Sequence, residues 1–249
     1  MRLTLLFTII LAAAATSASA TVLTIDDVQP TTDVIHSNAI DNSWTRLFAD
    51  EGTATSGRGQ SLTLPGAANG PAWLVETLTL DKSSAQTFDT GSTLSMWIFE
   101  WNPADDANDL SQWDNGDGIG GVFNDTGITN ILVNGESFDI GDLMIEDDEF
   151  LHFNFDSPLL MDPATAYGIY FEFAGVDDEG NEFLRLSVSS PNIYDHGRLL
   201  NTTATANSGG AANQDLTFFL QGSAVPEPST LALGLIGLLG LAWYAWRRK

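Results

Sequence analysis

The sequence predicts an all-β protein: an antiparallel, jelly-roll-like β-sandwich of one domain, between an N-terminal signal peptide and a single C-terminal transmembrane helix. Three observations predict it. Apolar residues between Thr21 and Ser223 recur with period two, and no stretch there has the helical period. Gly, Asn, Asp and Pro punctuate those runs. Uncharged apolar stretches occupy both ends of the chain.

Met1 and Arg2 form a short positive region, and Leu3 to Ala15 is apolar apart from Thr4 and Thr8. In the TSASA that follows, Ala18 and Ala20 occupy the small positions a signal peptidase accepts. Residues 1–20 therefore read as a signal peptide for the Sec export machinery, and the mature chain begins at Thr21.

Residues 21–222 read as the β-sandwich ectodomain. Leu62 and Leu64 alternate in GQSLTLPG. In AWLVETLTL, Leu74, Leu78 and Leu80 alternate with Val75, Thr77 and Thr79. Leu94, Met96 and Ile98 share one face of TLSMWIFEW, and FDIGDLMIE is a short strand or strand pair. Leu151, Phe153 and Phe155 oppose His152, Asn154 and Asp156 in FLHFNFD. Tyr167, Ile169, Phe171 and Phe173 share one face of AYGIYFEFAG. Leu184, Leu186 and Val188 do so in FLRLSVSS, and Leu216, Phe218 and Leu220 close the series in LTFFLQG. VDDEGNE (176–182) reads as a hairpin connection and NTTATANSGGAANQ (201–214) as a long surface loop. Many such strands argue for a sandwich.

Residues 223–249 are a different kind of segment. Ser229 to Trp246 carries no charge, and at about 1.5 Å per residue a helix there spans about 27 Å, close to a bilayer core of about 30 Å. Gly234, Gly237 and Gly240 suit a membrane helix, and Trp243, Tyr244 and Trp246 suit an interfacial belt. Arg247, Arg248 and Lys249 place the C-terminus in the cytoplasm by the positive-inside rule. Val225, Pro226, Glu227 and Pro228 precede the span, and the two prolines hold the chain extended.

VPEPSTLALGLIGLLGLAWYAWRRK resembles the PEP-CTERM sorting signal of Gram-negative bacteria. The resemblance rests on three parts in order: the Val-Pro-Glu-Pro-Ser/Thr box, the hydrophobic helix and the basic cluster. It implies recognition by exosortase, a membrane-embedded cysteine transpeptidase, and processing near the box. The helix is then an address anchored in the inner membrane, removed much as a GPI tail is. It also implies a destination at the cell surface or in an extracellular polysaccharide or biofilm matrix. The run from GQSLTL through SSAQTFDTGSTLSMWIFEW to FLRLSVSSPNIYDHGRLLNTTATANSGGAANQDLTFFLQG resembles a recurrent, uncharacterised ectodomain of PEP-CTERM proteins.

Composition narrows the functions. The formal charge is −24, and the body alone holds five basic against 32 acidic residues, or −27. That sign excludes nucleic acid as a partner and attracts divalent cations. With no cysteine, disulfides and thiolate metal sites are absent and the fold rests on its core.

Asp105, Asp106, Asp109, Asp114 and Asp117 crowd NPADDANDLSQWDNGDGIGG, a candidate calcium loop, calcium being the one candidate cofactor. The loop departs from the EF-hand pattern: with Gly118 at the invariant glycine, Trp113 takes the first ligand position and Asn124 the twelfth. The plainer reading is a solvated acidic loop. Trp97, Phe99 and Trp101 share the other face of the TLSMWIFEW strand. Trp97, Trp101 and Trp113 are thus candidate glycan-stacking residues, against the plainer reading of a strand buried on both sides. Glu100 and Glu172, both on predicted strands, are the candidate pair for a retaining glycosidase. His36, His152 and His196 are scattered, and no G-x-S-x-G elbow occurs. No catalytic residue is assigned. The expectation is a non-enzymatic surface or matrix protein. The alternatives are a carbohydrate-binding module for exopolysaccharide and a secreted glycan-degrading enzyme.

Overall fold

The computed structural model describes residues 20–48, 57–66, 70–101, 128–147, 149–163, 165–175, 183–190, 199–201 and 214–225, together with Trp243 and Arg247. From Thr21 to Ala224 the described elements are strands, because alternation gives each run one face for the core. They are β1 (Thr21–Asp26), β2 (Val34–Asn38), β3 (Ser43–Phe48), β4 (Arg58–Thr63), β5 (Trp73–Asp81), β6 (Gln86–Thr87), β7 (Thr93–Trp101) and β8 (Ile128–Asp139). After them come β9 (Met144–Ile145), β10 (Phe150–Met161), β11 (Ala166–Ala174), β12 (Phe183–Ser189), β13 (Leu199–Asn201), β14 (Asp215–Leu216) and β15 (Phe218–Ala224).

The pairings between these strands are antiparallel. One five-stranded sheet has the order β1-β10-β5-β15-β2, and a second has β13-β4-β11-β7-β8. A three-stranded sheet, β14-β12-β3, and the pair β6-β9 complete the fold. From β2 the chain crosses to β4, back to β5, over to β7 and β8, back to β10, over to β11, and returns at β15.

The two large sheets meet through their apolar faces. In the second sheet, Leu94, Met96 and Ile98 lie opposite Phe173, Phe171 and Ile169, and all six are buried. Phe153 reaches across from the first sheet; its ring lies 5.3 Å from Phe171 and 5.2 Å from Phe138, centroid to centroid. Burying one such ring is worth about 1.5–3 kcal/mol. β10 and β11 thus bury the faces their alternation marks out.

Three departures from the sequence reading have local causes. On β5, Val75 is buried with Leu78 and Leu80 while Leu74 is half-exposed. The register skips Glu76: Thr77 pairs with Gln221 and Val75 with Gly222. This β-bulge inserts one residue and inverts the alternation N-terminal to it. Second, residues 176–182 do not join a hairpin, since β11 pairs with β4 and β7 whereas β12 pairs with β3 and β14. Third, LTFFLQG divides at Thr217, leaving Leu216 in β14 and Phe218 in β15. There the Thr217 amide donates to the Ser187 carbonyl at 2.9 Å, tying the small sheet to the sandwich.

Candidate functional site

The outer face of the first sheet carries a polar groove of about 350 Å³, lined by Thr24, Asp26, Thr77, His152, Asn154 and Gln221 and by the loop after β1. Antiparallel register sets His152 beside Thr24 on one side and Thr79 on the other. Its Nε2 lies 3.1 Å from Asp26 Oδ1 and its Nδ1 2.9 Å from Thr79 Oγ1. With Nε2–H donating to Asp26, the tautomer that leaves Nδ1 bare accepts from the threonine hydroxyl. The Val28 amide, donating at 2.8 Å, is the main influence holding the Asp26 carboxyl below its ordinary range; the nearby His152 adds to it.

Hydroxyl, imidazole and carboxylate thus stand in a row, the order a nucleophilic relay uses. Thr79, however, is 0% exposed, so no substrate reaches the hydroxyl. Asn154 is also spent within the groove: its amide nitrogen donates to Thr24 Oγ1 and its oxygen accepts from Thr77 Oγ1, each at 3.1 Å. Scattered histidines conceal this arrangement in the sequence, because only strand register assembles it.

The outer face of the second sheet is buried too. Trp97 is 2% exposed and packs on Tyr170, ring centroids 5.9 Å apart. Phe99 lies over Gly168, where a Cβ would come within 2.3 Å of its ring. Trp97 and Phe99 therefore present no stacking surface to solvent. The side chain of Trp101, and all of Trp113, lie outside the described residues. Glu172 shares the Tyr170 face, is 4% exposed, and accepts from the Tyr170 hydroxyl at 3.0 Å through Oε1. Its Oε2 has no hydrogen-bond partner among the described residues. Burial pushes its carboxyl up to about 7, and the Tyr170 bond partly opposes the rise.

Glu100 is not its neighbour. Glu100 pairs with Tyr167 and Glu172 with Ser95, so the two lie on opposite faces of the sheet. Five residues at about 3.3 Å each also part them by about 17 Å along the strands. A retaining pair needs about 5–5.5 Å across a shared cleft. That pair is removed.

The small sheet bears an unforeseen cluster. Register sets Arg46 of β3 directly opposite Arg185 of β12. Like charges so placed repel, and two rings offset the cost. The Arg46 guanidinium lies 4.6 Å from the Trp44 ring and 4.5 Å from Phe183; for Arg185 the distances are 4.8 and 5.0 Å. Such contacts are worth about 0.5–1 kcal/mol each at exposed sites. Trp44 is 46% exposed. Arg185 Nε and Ser187 Oγ are buried and have no hydrogen-bond partner among the described residues. Two of the body's five cations are thus brought together by a pairing that no local motif announces.

Asp105, Asp106, Asp109, Asp114 and Asp117 lie outside the described residues. Among the described residues no group of three or more His, Cys, Asp or Glu could hold a metal ion. Ala18, Pro226, Glu227, Pro228, Arg248 and Lys249 also lie outside them, while Ala20, Val225 and Arg247 are described.

The tail leaves the fold without slack. β15 is paired on both sides, with β5 and β2, as far as Gln221, and with β5 alone up to Ala224 opposite Trp73. The Val225 amide then donates to the Ala72 carbonyl at 2.8 Å. The strand therefore continues two residues past Gly222. Farther on, Trp243 and Arg247 are both helical, and the guanidinium lies 4.7 Å over the indole, as neighbours one turn apart do. Among the described residues no helix is long and apolar enough to cross a membrane.

Residues 224–249 match the PEP-CTERM protein-sorting motif. The motif supports exosortase-dependent sorting to the cell surface, and implies export and membrane-anchored processing in a Gram-negative bacterium. The PEP-CTERM segment thus begins on the last residue of the last strand. The all-β body fits an uncharacterised ectodomain. No curated protein matches the chain. Among solved structures, one of tomato aspermy virus is 14% identical over 68% of this chain and 84% of that one, with a TM-score of 0.18, a likeness too slight to carry an argument.

Proposed function

We propose that this is an exported, non-enzymatic surface or matrix protein. Sec exports it and the signal peptide is removed before Thr21. The C-terminal helix holds it in the inner membrane until exosortase processes it near Val225–Pro228. The ectodomain is then displayed as a jelly-roll-like sandwich. The PEP-CTERM motif at 224–249 carries the sorting part of this reading. The order β2-β15-β5-β10 facing β4-β11-β7-β8, visited alternately along the chain, supports the jelly roll. The buried Thr79 hydroxyl and the separation of Glu100 from Glu172 favour a non-catalytic role.

The test compares the protein from cells with and without exosortase, by intact mass and by fractionation. The expected product with exosortase lacks the helix and basic cluster and leaves the inner membrane. Equal mass and equal membrane retention in both strains would overturn the reading.

A second reading, a carbohydrate-binding module, is favoured by Trp44. Its half-exposed indole can stack on a pyranose while the flanking guanidiniums donate to ring hydroxyls. A glycan array read with wild type and Trp44→Ala, each with and without EDTA, tests it. Binding lost in the variant supports the module at this sheet, and EDTA sensitivity adds calcium. Absence of wild-type binding under every condition removes it.

A further inference from the structure

Glu136 of β8 pairs with Met96 of β7, and so faces the same way as Met96 and Phe138, toward the sandwich interior at its open edge. A half-buried carboxylate on that face is costly unless its oxygens are bonded. Both are. The Thr21 backbone nitrogen donates to Oε1 at 2.5 Å, and the Thr21 hydroxyl donates to Oε2. Thr21 begins β1, the outer strand of the first sheet, while β8 is the outer strand of the second. The contact therefore bridges the two sheets at one margin.

Thr21 is also the residue that follows Ala18-Ser19-Ala20. We propose that Glu136 is the receptor for the α-ammonium group that signal cleavage creates on Thr21. The inference rests on the reading that cleavage falls between Ala20 and Thr21. There, water splits the amide: Ala20 departs as a carboxylate bearing the water's oxygen, and the Thr21 nitrogen takes both of the water's protons and becomes –NH3⁺. One contact is given up, since the Asp156 amide donates to the Ala20 carbonyl at 2.9 Å. Asp156 is exposed, so water replaces that acceptor. In return a neutral donor becomes a charged one, so a charge-assisted hydrogen bond becomes an ion pair with the carboxylate. The hydroxyl bond needs no change, which suits threonine or serine as first residue. The docked amino terminus fixes β1 along β10, covering an edge that would otherwise offer unpaired backbone groups to a neighbouring chain.

The exported protein is purified and its first residue read by mass spectrometry. Wild type and Glu136→Gln are then acylated with an N-hydroxysuccinimide ester at pH 7, and labelling at the first residue is followed by peptide mapping. An α-amine ordinarily titrates at about 7.7–8.0, and raising that by about one unit slows acylation about tenfold. The expected result is a Thr21 start, with wild type labelled about tenfold more slowly than the variant. Wild type in urea provides the same contrast should Glu136→Gln fail to fold. A Thr21 start with equal rates in folded wild type, variant and urea overturns the docking and leaves the cleavage reading intact. A start elsewhere overturns both.

Discussion

Glu172→Gln should stabilise the protein at pH 8 and leave it nearly unchanged at pH 4.5. Burial lifts the folded carboxyl from 4.5 to about 7, so the native state keeps a proton that the unfolded chain releases. Stability from this group is complete below the unfolded value, falls as pH rises between the two, and stays low above about 7. At about 1.4 kcal/mol per pH unit, the loss is about 3 kcal/mol. Glutamine has nearly the same shape, retains an oxygen to accept from the Tyr170 hydroxyl, and never ionises. Urea unfolding followed by tryptophan fluorescence, from pH 4.5 to 8, measures both proteins. Titrations elsewhere in this acidic chain cancel in the difference. The expected difference opens by about 3 kcal/mol across that range, in favour of the variant. Parallel curves would refute the reasoning, since they would mean that Glu172 ionises as readily folded as unfolded.

Phe153→Ala, at the meeting point of the Phe138 and Phe171 rings, should cost about 3–5 kcal/mol in the same unfolding assay, because a cavity opens between the sheets. Gly222→Ala would place a Cβ 1.9 Å from the Leu74 carbonyl oxygen; a loss of about 1–3 kcal/mol, with faster amide exchange at Val225, is expected from that overpacking. Thr79→Val removes the hydroxyl beneath His152 and should cost about 1 kcal/mol, read by urea unfolding, with the exported and processed product unchanged on immunoblots.

The inward faces of β7, β10 and β11 were legible in the sequence, because long, unbroken alternation leaves one registration of apolar side chains. β8 was not. Gly135 sits there at a φ of 62° beneath the Trp97 ring, and the register against β7 shifts repeatedly, so period two never builds up. β5 was legible as a strand but not in its parity, which the extra residue at Glu76 reverses. The sorting motif was legible because residues 224–249 carry it as a linear string. The Arg46–Arg185 cluster and the Asp26–His152–Thr79 row were hidden for the opposite reason. Each depends on which residues face one another across strands, a property of sheet order that no local stretch records. Trp97 carried the right composition for a sugar platform, yet Tyr170 and Gly135 occupy its ring.

The direct passage from β15 into the tail has a mechanical consequence. A pull on the chain beyond Val225 is transmitted along the axis of an interior strand. Ladder bonds to β5 and β2 run across that axis, so they bear the load side by side in shear rather than peeling apart in sequence. The chain leaves the domain where traction is met by a ladder of bonds rather than by one bond at a time.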